Sequence, residues 1–103
     1  MTSPDGEDRP FKHGRIVFPD GSTEPMPELE ARSPARLKQL QEAVGGYIEM
    51  IHGHPMTPDR LALLVDEEGM LKGLAVNELG SMMAGQVIVG PLVIVPMAAL
   101  QDT

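Results

Sequence analysis

Leu61-Ala62-Leu63-Leu64-Val65 is an unbroken apolar run, closed by the polar stretch Asp66-Glu67-Glu68-Gly69. A strand with one solvated face alternates apolar and polar residues. A short continuous run instead marks a strand buried on both faces, so the chain has to cover this one from two sides. At 103 residues it has one domain's worth of material with which to do so. Its aromatics are Phe11, Phe18 and Tyr47, with no Trp, so the core is aliphatic and built from Leu, Ile, Val and Met.

The remaining elements are short and punctuated by turns. Arg15-Ile16-Val17-Phe18 reads as a strand, and Pro19-Asp20-Gly21-Ser22 as a tight turn after it. Thr23 to Arg32 carries Pro25 and Pro27, so it is an edge strand or an extended loop rather than a central strand. Ser33-Pro34 predicts a helix start, with the Ser33 hydroxyl at the N-cap and Pro34 in the first turn. Leu37, Leu40, Ala43 and Val44 form its apolar stripe, Arg36, Lys38, Gln39 and Glu42 fall on other faces, and Gly45-Gly46 ends it.

Tyr47 to His52 reads as a strand and Gly53 to Pro58 as a loop. The run Leu61–Val65, the polar turn and Met70-Leu71-Lys72-Gly73-Leu74 together predict a β-hairpin. Asn77 caps a short second helix with Glu78 in its first turn, Leu79, Met82 and Met83 on one face, and Gly85 at its end. Gly80 weakens that helix by ~1 kcal/mol relative to Ala. Gln86–Val89 and Leu92–Val95 predict two last short strands around Gly90-Pro91, and Met97 to Leu100 a closing helical turn. The sum is an α+β domain, a mostly antiparallel sheet of five or six short strands with two short helices. Residues 1–10 are expected to be a disordered acidic tail, 11–100 the single domain, and 101–103 a frayed end.

Composition removes several chemistries. The absence of Cys excludes disulfides, thiolate catalysis, zinc–cysteine sites and iron–sulfur clusters. Fifteen acids against eight Lys and Arg leave a net charge of −7, which argues against direct nucleic-acid binding and against anionic lipid. The stretch from Val87 to Leu100 is broken by Gly90, Pro91 and Pro96 and falls short of the ~20 apolar residues of a membrane span. The acidic first residues lack the apolar core of a signal peptide, so no membrane association and a cytoplasmic location are expected.

Val44-Gly45-Gly46-Tyr47-Ile48-Glu49, Asp66-Glu67-Glu68-Gly69-Met70-Leu71-Lys72-Gly73-Leu74 with Asn77, and Ile88-Val89-Gly90-Pro91-Leu92-Val93-Ile94 occur in that order. In this the chain resembles a family of small domains of unknown function carried mainly by phages, plasmids and their bacterial hosts. The resemblance runs from about Arg15 to Val95 and departs from the family pattern at the proline-rich Thr23–Arg32 segment and at Gly53–Pro58. It implies a mobile-element context and supplies no catalytic residue.

Four sets of residues are candidate sites. His52 and His54, two apart, face one way on a strand and suit Zn, Ni or Cu, but need a third ligand such as Glu49, His13 or Asp66. The plainer reading is an exposed loop, and neither a metal nor a cofactor is expected. Asp66, Glu67 and Glu68 read as a solvated turn tip that also serves as an acidic knob for a partner. Of the adjacent pair Met82 and Met83 only one can face inward, and the other is exposed or at a contact. Gly45, Gly46 and Tyr47 form a helix cap, or with Asn77 line a ligand pocket, though no phosphate-loop or dinucleotide-binding glycine pattern occurs. Ser3, Ser22 and Ser81 sit in a tail, a turn and a short helix, none of them a nucleophile elbow.

Residues 59–103 hold six acids against two bases, with Asp59, Asp66, Glu67, Glu68 and Glu78 available to a basic groove. The expectation is therefore a non-enzymatic interaction protein of a phage or mobile element, acting on a host protein or complex as an inhibitor of host defence. Two alternatives stand beside it. One is an oligomeric protein, its own partner, that sequesters a nucleotide or signalling metabolite near Gly46, Tyr47 and Asn77. The other is a structural or accessory domain.

Overall fold

Alternation along two neighbouring strands sets the architecture. In the computed structural model, which describes residues 13–51 and 60–101, the chain forms β1 (Arg15–Val17), β2 (Thr23–Pro25), α1 (Ala35–Val44), β3 (Ile48–Ile51), β4 (Leu61–Asp66), α2 (Glu78–Ala84) and β5 (Leu92–Pro96). A 3₁₀ helix, Met97–Leu100, closes the described chain. The fold is α+β: one five-stranded sheet in the order β2-β1-β5-β4-β3, antiparallel at every pairing, with two helices.

β4 and β5 lie at the centre, and nearly all their residues are buried. Side chains two apart share a face, so Leu63, Val65, Leu92 and Ile94 pack with Val17, Ala84 and Ile88 on the α2 side. Ala62, Leu64, Val93 and Val95 pack with Met26, Leu40 and Val44 on the α1 side. The unbroken run thus has a core on each face. The edges differ: β2 is fully exposed, and β3 is partly so.

The first turn, the C-cap of α1 and the N-cap of α2 follow the sequence. Phe18 and Ser22 close the turn between β1 and β2, and the Asp20 carboxylate accepts both the backbone N–H and the hydroxyl of Ser22, which hold its pKa below the usual 3.8. Gly45 sits at φ 85°, in the left-handed region that ends a helix, and gives its N–H to the Gln41 carbonyl. Asn77 caps α2 by accepting the Gly80 N–H at 2.8 Å.

Other expectations are corrected. Ser33 does not cap α1. Pro34 holds the N-cap position without a side-chain bond, and the Arg36 N–H bonds to the Arg32 carbonyl. The inward stripe of α1 is Arg36, Leu40 and Val44, while Leu37 is exposed. Arg36 reaches the interior because its guanidinium turns back to the Ala31 carbonyl at 2.9 Å. On α2 the inward residues are Gly80 and Ala84, with Met83 against the core; Leu79 and Met82 are exposed, so the methionine pair does divide.

Residues 67–74 do not return as a strand. Beyond Glu67 their N–H groups close local turns, Lys72 to Glu68, Gly73 to Met70 and Leu74 to Gly69, and Met70 and Leu71 face water. β4 pairs instead with β3 and β5. Nor is 86–89 a strand of the sheet. Val89 makes a single bridge to Val76, Ile88 accepts from Asn77, and Gly90 donates to Ala75. This short pairing closes a loop around α2 and uses the groups a strand would have needed.

Candidate interaction site

The acidic turn is not one solvated tip. The Asp66 side chain is only 1% exposed, and it accepts the Lys72 ammonium at 2.7 Å and the Glu68 N–H at 2.8 Å. These bonds, the Lys72 side chain foremost, outweigh burial and hold the Asp66 pKa below 3.8. Lys72 also donates to the Gly45 carbonyl at 3.2 Å, where a cation suits a helix C-terminus. Asp66 and Lys72 therefore cancel each other's charge and fasten the turn to the end of α1. Glu67 and Glu68, by contrast, are exposed, although the Glu67 N–H bonds to the Tyr47 carbonyl.

A shallow cleft of about 140 Å³ lies beside this turn. Glu49 and Ile51 of β3, Val65, Asp66 and Glu67 from β4 and its turn, and the 86–89 segment line it. Strand register explains the first group: Glu49 stands opposite Val65 and Ile51 opposite Leu63, on the α2 face. Ile51, Val65 and Ile88 give an apolar floor, and Glu49 and Glu67 stand on it as exposed carboxylates. Such a surface suits a ligand with a cationic head and an apolar stem.

The remaining sequence candidates scatter. Glu68 and Glu78 are exposed but do not line the cleft. Asp59, His52 and His54 lie outside the described residues. Among the described residues no three His, Cys, Asp or Glu group as metal ligands. Gly46 packs against Asp66 and Lys72, whereas Asn77 is fully buried and bonded to Val17, Gly90 and Gly80. Asn77 thus has no exposed surface. A second cleft, about 190 Å³, lies elsewhere, lined by His13, Glu28 to Ala31, Ala98, Ala99 and Gln101. Neither of these two clefts is lined by Gly45, Gly46, Tyr47 or Asn77.

Glu49 is the residue that sequence reasoning missed, having been weighed only as a third metal ligand. Its alternation with Ile48 and Met50 was visible, but the pairing of β3 with β4 that brings it beside Glu67 was not.

The fold and cleft define a small α+β domain whose accessible charge near β3 is acidic. The chain belongs to the family described as Domain of unknown function (DUF3846), whose model matches residues 14–102. No curated protein and no solved structure matches it. Among the described residues no helix is long and apolar enough to cross a membrane.

Proposed function

We propose that the chain is a non-enzymatic interaction protein of a phage or other mobile element, which binds a basic segment of a host protein and so inhibits a host defence complex. The observation that carries the binding reading is the cleft of Glu49 and Glu67 over Ile51, Val65 and Ile88. The internal pairing of Lys72 with Asp66 supports it, because it leaves those glutamates without that lysine's charge. Glu68 and Glu78 are further exposed acids, and Asp59 adds to the acidic balance of the C-terminal part of the sequence. Burying a lysine or arginine stem on the floor while its head meets a carboxylate gives both area and orientation.

Affinity capture from host lysate across a salt series tests this. Retained partners should elute as salt rises and be lost from Glu49→Lys and Glu67→Lys. Glu28→Lys, at the second cleft, should keep them. Capture that is indifferent to salt and to both reversals would refute the acidic-cleft reading.

A further inference from the structure

The two edges of the sheet are built differently. β2 is three residues long, wholly exposed, and ends at Pro25, which has no N–H to offer a neighbour. Such an edge resists further pairing. β3, Ile48-Glu49-Met50-Ile51, has no proline, glycine or basic residue, and among the described residues it pairs only with β4. Its side chains divide between two usable surfaces. Glu49 and Ile51 line the acidic cleft, and Met50, 49% exposed, stands on the opposite face.

Resting on the function proposed above, we infer that the β3 edge is where the partner docks, as an extended basic segment added to the sheet as a sixth strand. An added strand takes its affinity from main-chain bonds and its specificity from alternate side chains. One set of its side chains overlies the cleft and meets Glu49, so lysine or arginine belongs there. The other set overlies Met50 and is apolar. Charge chooses this occupant over a second copy of the chain: two β3 edges pairing would gather the carboxylates of both clefts, in a molecule already at −7. A helix would leave the main-chain groups of the edge unused.

The test uses the full chain and a capped peptide of about six residues alternating lysine and valine. Tyr47 immediately precedes β3 and, with no Trp in the chain, its emission reports the titration. Amide NMR of labelled protein locates the site. Two further peptides carry N-methyl groups on every lysine or on every valine. In a strand pair only alternate N–H groups point at the neighbour. One methylated peptide should therefore lose about tenfold or more in affinity, and the other should match the parent.

Shifts should centre on residues 48–51. Glu49→Lys and Glu67→Lys should each weaken binding. Equal binding by all three peptides, or shifts centred away from β3, would overturn strand addition and leave the acidic reading standing. Binding untouched by both reversals would overturn the acidic reading, and no binding by the parent peptide would overturn the inference itself.

Discussion

The side-chain amide nitrogen of Asn77 donates to the main-chain carbonyl of Val17 at 2.8 Å, across 60 positions of sequence. The same nitrogen donates to the Gly90 carbonyl, and the side-chain oxygen accepts the Gly80 N–H. One fully buried residue thus ties β1, the start of α2 and the approach to β5 together.

Asn77→Ala should cost about 2–4 kcal/mol, from ~1 for the cap and about 1–3 for the buried bonds to Val17 and Gly90. Asn77→Asp separates the two roles. Aspartate is as good a helix cap as asparagine, but it would aim a carboxylate at two carbonyl oxygens. Its loss in urea unfolding at pH 7 should equal or exceed that of the alanine variant. An aspartate variant close to wild type would mean that the cap alone matters.

Gly80 is a second consequence of the same junction. On helix propensity, Gly80→Ala should stabilise α2 by ~1 kcal/mol. A Cβ at this position, however, would lie 2.8 Å from Asn77 Cγ and 2.9 Å from its oxygen. Since Asn77 is fixed by three bonds, the alanine should instead destabilise by about 1–3 kcal/mol. A raised melting temperature for Gly80→Ala would show that the cap yields.

Much of the fold was legible where chemistry is local. Gly45, Asn77, the turn at Asp20 and the two-sided burial of Leu61–Val65 each follow from a few adjacent residues. The errors fell where long-range pairing decided. Met70 and Leu71 look like strand residues, but β4 already has β3 and β5 as neighbours, leaving no place in the sheet for them. Ile88 and Val89 look like strand residues too, but Ile88 accepts the Asn77 N–H and Val89 makes only an isolated bridge to Val76. Of the candidate site, Glu67 was read from sequence, whereas Asp66 was misjudged because Lys72, six positions on, folds back onto it.

Leu71 gives a measurable form of that distinction. A leucine in a hairpin strand against the core would cost about 2–5 kcal/mol on loss of its side chain. At 86% exposed, Leu71→Lys should change stability by no more than about 0.5 kcal/mol. Leu64→Ala, at a position 1% exposed in β4, should cost the full core penalty and serves as the positive control. Equal losses in thermal unfolding would put Leu71 in the core and refute the turn.

The Asp66–Lys72 pair predicts an acid-sensitive part of the stability. Asp66 has a pKa below 3.8 in the folded chain, chiefly through its bond from Lys72. The folded state therefore binds its proton less readily than the unfolded one. Its contribution is complete above the ordinary carboxylate range and drains away as pH falls below 3.8 through the lowered value. Asp66→Asn keeps the size of the side chain and an acceptor oxygen but removes the charge. At pH 7 it should cost about 1–3 kcal/mol, moderated because Lys72 is 38% exposed and partly solvated. Unfolding curves at pH 7, 5 and 3 should show that gap steady between the first two and narrowing at the third. A gap for Asp66→Asn that stays constant down to pH 3 would mean that the charge on Asp66 contributes nothing, and that the turn is held to α1 by shape and neutral bonds alone.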